Sequence, residues 1–316
     1  MEIKTTILSI VVPVYNESLN ILPFHNRMTV LLEQLGYSYE MIFINDGSKD
    51  DTLVQLKQLL KRDSRVKVID FSRNFGKEIA MTAGLQLSTG DAVIPIDVDL
   101  QDPPELIPQM VEKWREGYDV VYATRVKRDG ETWVKKLTAI LFYKFIKKIT
   151  NINIPKNTGD FRLMSRQVVD ALNDMPEQHR FMKGLFSWVG FRQTSVSYYR
   201  EPRHRGTSKY NYWKLWNFAL EGITSFSFLP LQLASYMGFG VALFAIIYAI
   251  YMVATTLLQG NPVPGYPSLM VAILFLGGVQ LMTLGVVGEY VGRIYNETKR
   301  RPLYIIREKL GFDQDE

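Results

Sequence analysis

The stretch VIPIDVDLQDPPE, residues 93–105, sets Asp97, Asp99, Asp102 and Glu105 directly behind an apolar run. Carboxylates this close repel one another and lose hydration when they are unpaired, so the arrangement calls for a cation. Gln101, a neutral oxygen donor, follows Asp99 by two residues, and a second acidic run, NDGSKDDT, ends another apolar stretch at residues 45–52. Oxygen donors without nearby His or Cys suit Mg²⁺ or Mn²⁺, and Mg²⁺ is usually held by one or two carboxylates together with substrate phosphates. The cation is therefore expected to arrive with a nucleotide diphosphate. Asp-x-Asp also occurs in ordinary surface turns, so its weight depends on where the chain places it. Neither a P-loop nor a Gly-x-Gly-x-x-Gly turn is present, which removes support for P-loop and dinucleotide-binding readings.

The elements that must position these acids are legible in residues 7–125. Short Val- and Ile-rich runs (ILSIVVPVY, EMIFIND, VKVIDFS, DAVIPIDVD, DVVYATR) alternate with helical patterns (DTLVQLKQLLKRD, GKEIAMTAGLQLS, PPELIPQMVEKWREG). Such alternation implies an α/β domain with a mostly parallel sheet. In these sheets ligands bind beyond the carboxyl ends of the strands. YNES, NDGSKDDT and DVDLQD all fall at such ends.

Composition narrows the rest. The 316 residues contain no cysteine, which excludes disulfides and thiolate catalysis, and His25, His179 and His204 lie far apart, which argues against a histidine metal cluster. A net charge of +5 is mild, and no recognition motif supports nucleic acid as a partner. The N-terminal run is short and lacks a small-residue cleavage site, unlike a signal peptide. Charge is distributed very unevenly: from Gly222 to Gly288 there is no Asp, Glu, Lys, Arg or His. Two apolar blocks inside that stretch, about 231–258 and 268–290, each exceed the roughly 20 residues a spanning helix needs. They read as a transmembrane hairpin, with a pair of buried core helices as the competing reading. Glu289, Arg293, Lys299, Arg300 and Arg301 follow at once while the connecting turn is uncharged, so the positive-inside rule places both chain ends in the cytoplasm. Residues 131–150 form a basic amphipathic pattern. Val134, Leu141, Phe142, Phe145 and Ile149 share one face and Lys136, Lys144 and Lys147 the other, with Lys148 at the boundary. That pattern suits a membrane surface, though a core-facing helix reads similarly. Residues 211–228 have the Trp and Tyr content of an interfacial segment.

Taken in order, VVPVYNE, NDGSKDDT, NFGKEIAMTAGL and DVDLQDPPE resemble the signature series of family 2 inverting glycosyltransferases of the GT-A fold. TGDFRLMSR, RFMKGLFSWVGFRQT and REPRHRGTSKYNYWKLW, followed by the hairpin, resemble the polyisoprenyl-phosphate group, GtrB-type and dolichol-phosphate-mannose-synthase-like. No Gln-x-x-Arg-Trp motif of processive relatives occurs, which implies transfer of a single sugar. The resemblance implies a metal-dependent enzyme at the plasma (inner) membrane, moving a sugar from a nucleotide-sugar, UDP-glucose first, to polyprenyl (undecaprenyl) phosphate for cell-envelope glycan modification. A GDP-mannose donor, or a non-enzymatic lipid-binding subunit, are the alternatives, and a homo-oligomer is compatible with the sequence. It also implies roles. Pro13, Tyr15 and Glu17 hold the nucleotide, with Asp46 near base and ribose. Asp97 and its neighbour Val98 meet the nucleotide sugar, and Asp99 and Gln101 bind Mg²⁺ or Mn²⁺. Arg125 meets phosphate, Arg203 and Lys209 close over the diphosphate, and Asp160 lies near the reacting centre as a base or a positioning group. The implied organisation is a catalytic domain over 1–210, a juxtamembrane segment over 211–228, the hairpin over 229–295 and a cytoplasmic tail over 296–316.

Overall fold

The computed structural model describes residues 6–126, 155, 157–199, 229–259 and 265–312. The chain divides into two compact units, Met1–Asn217 with Pro302–Glu316, and Phe218–Arg301. The first is built on an eight-stranded sheet in the order β7-β5-β6-β4-β1-β2-β3-β8. Its strands are β1 (Ile7–Val14), β2 (Ser38–Asn45), β3 (Val66–Phe71), β4 (Ala92–Pro95), β5 (Val120–Arg125), β6 (Thr158–Ser165), β7 (Gln193–Tyr198) and β8 (Ile306–Leu310). β1 pairs in parallel with β2 and β4, β2 with β3, and β5 with β7. The antiparallel pairs are β4–β6, β5–β6 and β3–β8.

The parallel centre follows from composition. β1 and β2 are almost continuously apolar, and their side chains are buried nearly throughout, as a strand covered on both faces requires. The crossover helices are α1 (Ser18–Leu35), α2 (Thr52–Leu60), α3 (Lys77–Gln86) and α4 (Ile107–Arg115). Phe24 of α1 meets Phe43 of β2 edge-to-face at 6.1 Å, inside a cluster that includes Ile10, Val12, Met28, Ile94 and Leu163. Two further helices, α5 (Arg166–Asn173) and α6 (Met182–Trp188), follow β6. Strand order reverses at β1, where β2 lies on one side and β4 on the other. That reversal opens a crevice at the carboxyl ends of the strands.

The second unit contains α7 (Leu229–Gln259) and α8 (Tyr266–Thr298), which contact each other. Both are long and apolar enough to cross a membrane, and α8 runs eight residues past the 290 expected from hydropathy. Phe239 and Leu281 are 71% and 72% exposed, a surface suited to lipid rather than water. The expected tail needs correcting. Residues 306–310 form β8, which pairs with β3 at the sheet edge. Arg307 reaches Asp70 at 3.4 Å, and Tyr304 stacks on Phe71 with ring centroids 5.0 Å apart. The amphipathic stretch 131–150 and the juxtamembrane segment 211–228 lie outside the described residues.

Candidate active site

The strand ladders carry the polar clusters to one rim. The Asp46 N–H donates to Val14 O at 2.9 Å and the Ile96 N–H to Val11 O at 3.0 Å. These bonds extend β2 and β4 alongside the end of β1, so Tyr15, Asp46 and Asp97 meet at the reversal point. They surround a cavity of about 380 Å³ lined by Pro13, Val14, Tyr15, Glu17, Asp46, Asn74, Gly76, Lys77, Ala80, Asp97, Val98 and Asp99. Its size lies at the lower end of small-molecule sites, roughly 300–1,000 Å³.

Two loops are locked together behind this wall. Asp46 is 3% exposed, and its carboxylate accepts the Phe75 N–H at 2.6 Å and the Gly76 N–H at 3.0 Å. Burial, against those two bonds, pushes the Asp46 carboxyl above its ordinary range. Asn74 Nδ2 donates to Asp46 O at 3.1 Å. Gly47, at φ +64°, makes this approach feasible, since a Cβ there would lie 2.4 Å from Arg73 C and 2.5 Å from Asn74 N. Asn45 ties the loop to the neighbouring strand β3. Its Nδ2 donates to Asp70 Oδ1 at 2.7 Å, and its Oδ1 accepts the Ser48 N–H at 3.3 Å.

The acidic loop after β4 turns sharply. Leu100 is buried at φ +58°, a left-handed conformation that costs a branched residue on the order of 1 kcal/mol. Non-glycine strain of this kind gathers at functional sites. The Asp99 carboxylate accepts the Gln101 N–H at 3.2 Å, and Asp99 is 5% exposed. Asp102 turns the other way and accepts the Tyr198 hydroxyl, whose oxygen in turn accepts Arg125 Nε–H at 2.9 Å. An Arg125 nitrogen lies 3.5 Å from Asp102 Oδ1. Burial, outweighed by Tyr198 and Asp102, leaves the Arg125 guanidinium more basic than usual. Arg125 Nη2 occupies the space a Gly159 Cβ would need, 2.8 Å away.

At the centre of the rim, Lys77 Nζ contacts Asp97 Oδ1 at 2.6 Å, Asp97 Oδ2 at 2.8 Å and Asp160 Oδ2 at 2.7 Å. Burial alone would raise the Asp160 carboxyl. Lys77, then Lys183 and Arg162, reverse this and hold it well below the carboxylate range. Burial likewise opposes the charge on Lys77, and Asp160 and Asp97 together raise its pKa. Burial pushes Asp97 up against the pull of Lys77, helped by repulsion from Asp160 and Asp99.

Of the residues singled out in the sequence, Pro13, Tyr15, Glu17, Asp46, Asp97, Val98 and Asp99 converge on the cavity. Asp160 joins through Lys77, whereas Gln101 and Arg125 are set back from the wall. Arg203 and Lys209 lie outside the described residues. Sequence reasoning assigned no role to Asn74, Gly76, Lys77 and Tyr198, and it counted Asp102 among the acids without its tie to Tyr198. For Lys77 a signal existed: a lysine opening a helix opposes the helix dipole, which marks a charge placed for another purpose.

A family model described as glycosyl transferase family 2 matches residues 9–172, and one described as the GtrB C-terminal hairpin matches residues 229–294. An uncharacterized glycosyltransferase of Synechocystis sp. is 58% identical over 306 residues, 97% of this chain and 96% of its own length. The bactoprenol glucosyl transferase of Shigella phage SfX is 52% identical over 302 residues, 96% of this chain and 99% of that protein. Among solved structures, mannosyl-3-phosphoglycerate synthase from Rubrobacter xylanophilus aligns over 70% of this chain and 72% of its own, at 17% identity and a TM-score of 0.48.

Proposed function

The chain belongs to glycosyl transferase family 2 and carries a GtrB-type hairpin at residues 229–294, and on that premise we propose that it transfers one glucosyl group from UDP-glucose to a polyprenyl phosphate. The observation that carries this reading is the carboxylate-walled cavity at the strand-order reversal. The glucosyl group and the polyprenyl acceptor follow the bactoprenol glucosyl transferases. UDP is the nucleotide that the family resemblance implies first. The apolar hairpin associates the chain with a membrane, and the charge pattern supports a cytoplasmic catalytic unit.

The wall also argues for a divalent cation. Glu17, Asp46, Asp97 and Asp99 face the cavity, and the lysine among the lining residues is already bound to Asp97 and Asp160. A diphosphate approaches such a wall only with added positive charge. Among the described residues no three His, Asp or Glu side chains converge into a metal site. That fits an ion held partly by Asp99 and Gln101 and partly by substrate phosphates, as Mg²⁺ and Mn²⁺ are. When bound, the ion supplies Lewis-acid stabilisation of the leaving diphosphate.

The transfer is a single in-line displacement. An oxygen of the lipid phosphate bonds to the anomeric carbon as the bond to the diphosphate oxygen breaks, and UDP leaves with that electron pair. The nucleophile carries roughly 1.5 to 2 negative charges at neutral pH, by analogy with other phosphomonoesters, and needs no base. Asp160, ionised and bound to Lys77, suits orientation better than proton removal. Arg125, pinned by Tyr198, keeps its cation fixed beside the acidic loop. Arg203 and Lys209, which the resemblance assigns to the diphosphate, lie outside the described residues.

The test is a panel of UDP-glucose, UDP-galactose, UDP-N-acetylglucosamine and GDP-mannose with purified protein, Mg²⁺ or Mn²⁺ and undecaprenyl phosphate. Lipid-linked sugar is read by mass spectrometry. UDP-glucose should give the product most efficiently. Absence of lipid-linked sugar from every donor refutes the reading.

A further inference from the structure

We infer that Lys77 is a positioning residue for donor binding: its ammonium offsets the repulsion between Asp97 and Asp160 and so fixes Asp97 on the cavity wall. The inference rests on the donor-binding reading given above. Three elements meet at this one nitrogen. Lys77 opens α3, Asp97 follows β4 and Asp160 lies on β6. One ammonium within 2.8 Å of both carboxylates brings them closer than two like charges would otherwise sit.

The layers are ordered. Lys77 and Asp97 line the cavity. Asp160 does not, and its side chain is 15% exposed against 36% for Asp97. Asp160 Oδ1 is buried and has no hydrogen-bond partner among the described residues. Asp160 is therefore the rear anchor of the lysine, and Asp97 is the carboxylate offered to the ligand. An ionised carboxylate only accepts hydrogen bonds. Phosphate oxygens cannot supply them, whereas sugar hydroxyls can. Ribose hydroxyls qualify as well, and with Asp46 assigned to base and ribose the clamp serves the transferred sugar.

Helix α3 confirms that the lysine is not there for the helix. Its first turn also holds Glu78, the charge that a helix N-terminus favours, while Lys77 sits against the dipole. The two carboxylates supply the compensation.

Counting charge on the three groups gives a discriminating test. The native clamp carries one net negative charge, Lys77→Met carries two, and the Lys77→Met/Asp160→Asn double returns to one. UDP-glucose and UDP binding are measured by calorimetry with Mg²⁺, alongside thermal melting. Lys77→Met should weaken UDP-glucose by about tenfold or more, because it leaves two carboxylates facing each other without the cation between them, and UDP by less. Lys77→Arg should stay within about threefold of the native protein, since a guanidinium fork also spans two carboxylates. The double substitution should bind UDP-glucose at least about threefold more tightly than Lys77→Met, the coupling expected of groups in contact. If Lys77→Met does not fold, the double should fold, which reports the same recovery. The inference is overturned if Lys77→Met binds UDP-glucose like the native protein, if UDP weakens as much as UDP-glucose, or if the double recovers neither binding nor folding. Native protein that binds no nucleotide-sugar refutes the donor reading itself, and the inference with it. Native binding matched by Lys77→Met refutes the inference alone.

Discussion

Replacing Gly47 by alanine should damage nucleotide binding far more than its size suggests. The new Cβ would lie 2.4 Å from Arg73 C and 2.5 Å from Asn74 N. Ordinary carbon contacts begin near 3.5 Å, so one loop must retreat by about 1 Å. Both neighbours are backbone atoms and cannot swing aside as a side-chain tip can. A retreat of that size lengthens the Asp46 bonds to Phe75 N–H and Gly76 N–H, now 2.6 and 3.0 Å, to or beyond the useful limit. Each such bond to a carboxylate is worth roughly 1.5–3 kcal/mol, and the left-handed backbone adds about 1 kcal/mol. A loss on the order of 4–7 kcal/mol is therefore expected, shared between fold stability and the geometry of the cavity. Gly36→Ala separates the contributions. Gly36 has a similar φ of +70° with nothing within 4 Å of its would-be Cβ, and it caps α1 away from the cavity. Calorimetric titration with UDP and thermal melting should show Gly36→Ala losing only about 1 kcal/mol of stability and binding normally. Gly47→Ala should lose at least about a hundredfold in UDP affinity, some 2.7 kcal/mol. Normal UDP binding by Gly47→Ala would refute the argument that close approach of these two loops shapes the site.

Asp99→Ala should nearly abolish transfer, and EDTA should do the same until Mg²⁺ or Mn²⁺ is restored. Full turnover without metal would show that the acidic loop has another task. Asp63 is buried against His25 and Arg65. Burial raises its carboxyl, but bonds from Arg65 and His25 bring it down to about 2. Its folded pKa thus lies below the ordinary value, so its stabilisation is present above about pH 4 and fades as pH falls towards 2. Chemical denaturation of native protein and Asp63→Asn should differ at pH 6 by on the order of 1 kcal/mol after solvent screening, and converge near pH 2. A gap that persists at low pH would mean the carboxylate is not its source. Cysteines introduced at positions 260 and 314 of this Cys-free chain should label differently on intact cells. An impermeant thiol reagent should reach 260 and spare 314, and the opposite pattern would invert the topology.

Much of this arrangement was legible because buried parallel strands announce themselves. β1 to β5 are apolar runs whose polar residues gather at one end, and DVDLQD falls where the sheet reverses. The membership of family 2 and the two apolar helices were also legible, since motif order and a long uncharged stretch need no tertiary information. β6 was hidden by its charges. It contains Asp160 and Arg162, and Arg162 is 5% exposed with burial bringing its guanidinium down to about 10. Arg162 is tolerated because it donates to Gly159 O at 2.9 Å and stacks on Phe186. A pattern reader expects such a residue on the surface. β8 was hidden for the opposite reason. IREKL sets three charged residues between Ile306 and Leu310, as suits an edge strand, but five such residues after an apolar hairpin read as a tail. The Lys77 clamp joins positions 77, 97 and 160, and no local spacing records that meeting.

β8 also sets the order in which this protein can be completed during synthesis. The strand that covers β3 is encoded after both apolar helices, so the ribosome makes the hairpin before the sheet has its last member. Until residues 306–310 follow, β3 presents an open row of backbone donors and acceptors, the kind of edge that recruits stray strands. Pairing β3 with β8 closes a loop of more than two hundred residues, a slow kind of contact to form. A nascent chain stalled within the hairpin therefore carries an unfinished sheet, and closure of its edge marks a chain whose two apolar helices have already been made.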